Sequence, residues 1–269
     1  MQINGRNFTI GADPETFVHL GGKFFSAHGM VPGSKHSPFK VNNGAVQVDG
    51  MALEFNIDPA KSKEEFEFNL DSVQKQLKGM IGDYDFLKDA SVEFDEDFMK
   101  MVPAENLELG CEPDFNAYTM DVNPKPSDKT LMRTAGGHVH VGGLTVAEFG
   151  RHEHFSIVSK FTRILDETLG TYSVLWDKDD KRRALYGKAG SFRPKNYGME
   201  YRTLSNAWIF NKGLVHFIYD AVEESLALLM KLDYEPDPAC REIIDGSLRD
   251  HSYFKGNAKA ERIRKIMEA

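Results

Sequence analysis

Acidic side chains recur at a spacing of two in this sequence, twice across a proline where the chain has the character of a strand. Asp13 and Glu15 flank Pro14, and Glu112 and Asp114 flank Pro113 in a near-repeat of the same pattern (Gly-Ala-Asp-Pro-Glu and Gly-Cys-Glu-Pro-Asp). Side chains two apart on a strand share a face, so each pair presents two carboxylates together. Proline has no N–H to give a ladder, which places both pairs at an edge or a distortion of a sheet. Glu54 lies alone in the apolar run Met51-Ala-Leu-Glu-Phe-Asn-Ile. A carboxylate there must be paired, protonated or bound to a metal. Several carboxylates on adjoining strands are the oxygen ligands that hard cations such as Mg²⁺ or Mn²⁺ require. Taken singly, each pair also fits a solvated strand face.

Two further stretches add imidazoles and fixed positive charge. Arg133-Thr-Ala-Gly-Gly-His138-Val-His140-Val-Gly142 puts two histidines on one strand face beside glycines that permit close approach of a ligand. One imidazole is expected on a metal and the other against substrate; a zinc hydrolase or a purely structural pair would use the same spacing. Residues 181–206 hold Arg182, Arg183, Lys188, Arg193 and Arg202 among glycines, with Glu200 two residues before Arg202. Arginines on a glycine-rich loop suit polyphosphate, which guanidinium groups grip bidentately. The alternative is a solvated loop with a surface ion pair, which contributes little. No Walker loop, dinucleotide fingerprint or nucleophile elbow is present, and neither Cys111 nor Cys240 has an evident triad partner.

The elements that must position these groups follow from periodicity. The apolar pieces 8–11 and 17–20 around Gly-Ala-Asp-Pro-Glu are consistent with a strand carrying polar residues, and further strands are expected at 91–94, at 108–118 and at 137–142. A strand pair is expected over 46–57, turning at Asp49-Gly50. Residues 28–43 and 121–129 are expected to be loops. Ser62-Lys-Lys-Glu65 forms a capping box for a helix to about Met80, with Phe66, Leu70, Val73 and Leu77 as its apolar stripe. Further helices are expected over 146–169, with a break near Gly150, over 212–231, and over 258–267. The order is α+β, in one domain spanning 1–269, with strands gathering the polar groups and helices covering the other side.

Composition narrows the functional classes. Acidic residues outnumber basic ones 41 to 33, for a formal charge of -8, which argues against general nucleic-acid or anionic-membrane binding. Two cysteines cannot build a disulfide framework or a thiolate-rich zinc site, and reduced thiols in a cytoplasmic protein are expected. The first eleven residues lack the pattern of a signal peptide, and no apolar run is long enough to span a bilayer.

Together the pieces GADPETF, VDGMALEFNIDPA, GCEPDF, RTAGGHVHVG, YGKAGSFRP and GMEYRTLSN resemble the carboxylate–amine ligases of the glutamine synthetase and glutamate–cysteine ligase superfamily, and most closely the compact phage-type carboxyl–amino ligases. The resemblance runs from about residue 11 to 208. It implies a curved antiparallel sheet of the glutamine-synthetase kind, with helices on its convex face and Mg²⁺ (or Mn²⁺) and ATP on its concave face. It implies metal ligation by Asp13, Glu15, Glu54, His138 and Glu200, although Asp13 stands where glutamine synthetase usually has Glu. Nucleotide contacts are implied for Arg183, Lys188, Arg193, Arg202 and His140, the match of Arg183 and Arg193 being looser. Arg202 and Arg193 would serve catalysis at the phosphates. Glu112 and Asp114, which lack a clear counterpart in the large enzymes, are candidates for accepting the amine's proton.

The implied reaction joins a small-molecule or peptide carboxylate to an amine through an acyl phosphate, in the cytoplasm, or the host cytoplasm if the chain is phage-encoded. An oligomer is compatible with it. The rival activities are a guanidino-kinase-like phosphotransferase on a related sheet and a metal-dependent hydrolase using His138 and His140.

Overall fold

Strand alternation builds the central sheet of this computed structural model, which describes residues 1–107, 114–124, 130–246 and 251–269, with the side chains of Glu105 and His251 excepted. Eight of its strands form one sheet: β1 (Thr9–Thr16), β2 (Phe39–Val41), β3 (Gly44–Asp49), β4 (Ala52–Ile57), β5 (Phe115–Asn116), β6 (Gly137–Gly142), β7 (Ser191–Lys195) and β8 (Gly198–Tyr201). Their order is β5-β7-β8-β6-β1-β4-β3-β2, and every neighbouring pair is antiparallel. On one face lie Ile10, Leu53, Phe55, Val139, Val141, Phe192, Met199 and Tyr201, all buried in the main apolar core. On the other lie the polar residues between them.

Helices cover the apolar face. α1 (Lys63–Met80) starts at Ser62, whose hydroxyl accepts from Glu65 N at 3.1 Å. The Glu65 carboxylate reaches back to Lys61 N at 2.6 Å, closing the expected capping box one residue early. Phe66, Leu70, Val73 and Leu77 are its buried stripe, as the spacing predicts. The expected helix over 146–169 does break at Gly150, which adopts φ 74. Beyond it run α2 (Arg151–Leu165) and one π turn, Asp166–Gly170. α3 is Asp180–Leu185, α4 is Lys212–Leu229 and α5 is Ala258–Glu268. α1 packs behind β3 and β4, α2 behind β7 and β8, and α4 against both helices.

Three expectations about elements need correction. The expected loop over 28–43 contains β2, because Phe39 and Lys40 find partners in Val46 and Ala45. The stretch 181–206 opens with α3, capped by the Asp179 side chain on Arg182 N at 2.9 Å. Of the strand expected over 108–118, the described part is strand only at Phe115–Asn116; there the Asn116 side chain accepts from Tyr118 N at 2.9 Å and turns the chain. Residues 108–113 lie outside the described residues.

Pro14 has a structural consequence. β1 is central rather than an edge, and Glu15 N donates to Gly136 O at 2.9 Å, toward β6. Successive backbone N–H groups point to opposite sides, so the one that Pro14 lacks would have faced β4. The β1–β4 ladder accordingly pairs only Glu15 with Glu54 and Thr16 with Leu53. The strands separate beyond that, and Ile10 bonds instead to Ala60, at 2.9 and 2.8 Å.

Candidate functional site

The polar face carries nearly all the residues that the sequence singles out, and strand register sets them in rows. His140 lies opposite Gly11 on one side and Glu200 on the other, and Glu200 lies opposite Arg193. His138 faces Asp13. Glu15 faces Glu54, which faces Gln47. Of these, Asp13, Glu15, Gln47, Glu54, His138 and Arg193, with Asp49, Lys195 and Arg202, line a cavity of about 260 Å³, and His140 and Glu200 adjoin it through Asp13 and Arg193.

Two sets of potential ligands stand side by side there. Asp13, His140 and Glu200 bring one ligand atom each to within 4.8 Å of one another, and so do Glu15, Asp49 and Glu54. In the first set, His140 Nδ1 meets the Tyr197 hydroxyl at 2.5 Å, which turns Nε2 toward Asp13 Oδ2, 3.0 Å away but off hydrogen-bond geometry. A second partner fixing a ring this way is usual for histidines that ligate metals. His138 Nδ1 is 3.4 Å from Asp13 Oδ1 and 3.6 Å from Glu200 Oε1. In the second set, Gln47 donates to Glu54 at 2.7 Å, Gly136 N donates to Glu15 at 2.7 Å, and Lys35 pairs with Asp49 at 3.0 Å.

The electrostatics differ between the two. Burial would raise the Asp13 pKa, but His140 and His138 outweigh it and hold the carboxyl well below its usual range. Burial likewise opposes ionisation of Glu200, yet Arg202 beside it brings its pKa down to about 2. Glu54 goes the other way: burial, then the nearby charges of Asp13, Glu15 and Asp49, push it well above the carboxylate range. A crowd of carboxylates with so little compensation is what a divalent cation relieves. The donor set, oxygen-rich with one imidazole, fits Mg²⁺ or Mn²⁺.

Cations occupy the other side of the cavity. Arg193 donates to Glu200 at 3.1 Å, Lys195 lies 3.2 Å from the same carboxylate, and Arg202 pairs with it too. Arg202 Nε stands 3.7 Å from Asp114. Arg182 and Arg133 line the cavity but spend donors on backbone: Arg182 on Ala135, Thr203 and Leu204 carbonyls, Arg133 on Thr130, Met132 and Leu107. The paired glycines of 133–142 make room for the chain itself. A Cβ on Gly137 would stand 2.3 Å from Ser205 O, and one on Gly136 would stand 2.3 Å from His138 Nε2.

Of the residues singled out by sequence, Asp13, Glu15, Glu54, Asp114, His138, His140, Arg193, Glu200 and Arg202 meet at this site. Arg183 and Lys188 do not. Arg183 is buried in an ion pair with Asp177 at 3.2 Å, and Arg183 and Lys188 line a separate hollow with Asn116, Arg241 and Asp245. Glu112 lies outside the described residues. Asp49, Gln47, Lys195, Tyr197 and Lys35 belong to the site without having been expected there. Alternation carried through the Asp49-Gly50 hairpin would have found Asp49 and Gln47, and alternation from Arg193 would have found Lys195. Nothing in the sequence signals Lys35.

Residues 129–235 match the family model described as phage phiEco32-like COOH.NH2 ligase-type 2. The match supports the resemblance to the phage-type carboxylate–amine ligases, whose name denotes an enzyme joining a carboxyl to an amino group. It spans β6, β7 and β8 with His138, His140, Arg193, Glu200 and Arg202; Asp13, Glu15 and Glu54 precede it. No curated protein matches the sequence.

Proposed function

We propose that this chain, similar over 129–235 to the phage-type carboxylate–amine ligases, forms amide bonds at the expense of ATP with Mg²⁺ or Mn²⁺ bound, on a sheet curved as in glutamine synthetase. The observation that carries the proposal is the placement of two three-ligand sets, Asp13/His140/Glu200 and Glu15/Asp49/Glu54, against Arg193, Lys195 and Arg202 on one sheet face. Glu15, Glu54 and Asp49 would hold one cation. Asp13, Glu200 and His140 would hold another, with His138 beside them. The bound ions would neutralise phosphate oxygens and polarise the γ-phosphoryl group.

The chain's own residues then have defined work. Arg193, Lys195 and Arg202 orient the phosphates and hold charge developing on the transferred group. A substrate carboxylate oxygen bonds to the γ-phosphorus as the bond to ADP breaks. The amine nitrogen then bonds to the acyl carbon, the carbon–oxygen bond to phosphate breaks, and the amine's proton passes to a carboxylate. Asp114, beside Arg202, is the described candidate for that base, and Glu112 is its neighbour in sequence. No protein nucleophile is required.

Isothermal titration of ATP with Mg²⁺ into the wild type and Glu15→Ala tests the site. Metal-dependent binding that the substitution abolishes is the expected result. Absence of nucleotide binding with every divalent metal tried would sink both the ligase and the phosphotransferase, and leave a hydrolase using His138 and His140. ATP turnover that needs both an acid and an amine separates the ligase from the phosphotransferase.

A further inference from the structure

Where β1 and β4 part beyond Pro14, a second hollow of about 590 Å³ opens beside the first, and of the described residues only Asp13 and Glu54 line both. The two chambers have opposite character. Lys35, Arg133, Arg182, Arg193, Lys195 and Arg202 line the first, facing the carboxylates that would hold the cations. No described Lys or Arg lines the second, whose floor is Gly11 and Gly142 and whose walls include Ile57, Pro59 and Tyr197. Its ionisable side chains among the described residues are the two shared carboxylates, His140 and Tyr197. Once its carboxylates hold the two cations, the first chamber attracts a polyanion, whereas the second offers an anion no described basic side chain and favours a neutral group or an amine.

Resting on the ligase reading, we infer that the second chamber receives the amine, and that this amine is carried on an apolar or aromatic group bearing no carboxylate of its own. The amino nitrogen would sit at the Asp13–Glu54 boundary, facing the reacting carboxyl across it. The carrier would lie over the glycine floor against Ile57, Pro59 and Tyr197. A free α-amino acid fits poorly as the nucleophile, because its carboxylate would be buried over the glycine floor against Ile57 and Pro59, in a chamber that no described Lys or Arg lines. The chamber exists because Pro14 interrupts the ladder, so the same residue that ends the β1–β4 pairing makes space for the second substrate.

The probes are 2-phenylethylamine and phenylalanine, which differ by one carboxylate, titrated into the protein with and without Mg²⁺–ATP. Two filling variants accompany the wild type. Gly11→Ala adds a Cβ at ordinary contact distances, 3.6 Å from His140 Cβ and 3.9 Å from Ile57 O, and Asn56→Phe fills a half-buried position on the wall. Thermal melts establish that each variant is folded. The expected result is that 2-phenylethylamine binds at least tenfold more tightly than phenylalanine. Asn56→Phe should weaken the amine at least tenfold and Gly11→Ala severalfold, while ATP affinity changes less than twofold. Equal or tighter binding of phenylalanine, or amine binding that survives both variants, would overturn the inference. If ATP fails to bind but the amine behaves as expected, the chamber's preference stands and the ligase proposal falls. If ATP binds and the amine does not, the nucleotide site stands and the amine chamber falls.

Discussion

Asp49 serves both the backbone and the candidate site. Its place at the end of β3 is explained by the hairpin turn, with Gly50 at φ 58. Its carboxylate nevertheless lies with those of Glu15 and Glu54 and takes an ion pair from Lys35. Asp49→Asn keeps the side chain's size and turn-forming ability but removes one charged oxygen donor. It is expected to lower the affinity for Mg²⁺–ATP by roughly tenfold, as loss of a ligand or its supporting partner commonly does. Titration calorimetry reads that loss directly, and unchanged affinity would remove Asp49 from the ligand set.

At the scale of elements, the π turn after α2 joins the helical layer to the functional strands. Asp166, fully buried in that turn, accepts from the Tyr201 hydroxyl at 2.6 Å and from Gly190 N at 2.7 Å. Tyr201 stands between Glu200 and Arg202 on the opposite face, and Gly190 precedes β7, so this carboxyl braces two site-bearing strands from behind. Burial raises its pKa to about 7 despite those hydrogen bonds. In the unfolded chain it would titrate near the ordinary value of about 4. A group with a raised folded-state pKa contributes its stability in full below the unfolded value and loses it as pH rises through the folded one. The stability advantage of wild type over Asp166→Asn is therefore expected to be largest near pH 4 and to shrink toward pH 7, as urea unfolding at both pH values would reveal. An advantage that grows with pH would contradict this assignment.

Across the whole molecule, an apolar face sealed by α1, α2 and α4 supports a polar face crowded with carboxylates. No described helix is long and apolar enough to cross a membrane. The crowding around Glu54 destabilises the metal-free fold, and a ligand that binds only the folded state raises stability by about 2.7 kcal/mol at a hundred times its Kd. Millimolar Mg²⁺ is thus expected to raise the Tm of the wild type by several degrees. Glu54→Gln, with less repulsion to relieve and one ligand fewer, should melt no lower than the wild type without metal and respond little to it. Calorimetric melts with Mg²⁺ and with EDTA check both halves of the expectation.

Local rules in the sequence determined a good deal by themselves. The Ser62 cap and its stripe placed α1, the Asp-Gly step placed the β3–β4 hairpin, and period-two alternation put His138 with His140 and Asp13 with Glu15 on shared faces. Each depends on neighbours a few residues apart, where covalent geometry leaves little freedom. Tertiary structure decided what lies across from what. Only register shows that His140 faces Glu200 and that Glu15 faces Glu54, since strands far apart along the chain can pair in many alignments. Arg183 and Lys188 match a phosphate-binding pattern in sequence, yet they line another hollow, with α3 carrying Arg183 to its partner Asp177. The alternation rule specifies the face of a strand, whereas a helix inside an apparent loop redirects every side chain it carries. Pro14 likewise advertises a distortion, but the chamber it opens depends on β4 passing alongside and then diverging, a fact of long-range packing that no local pattern records.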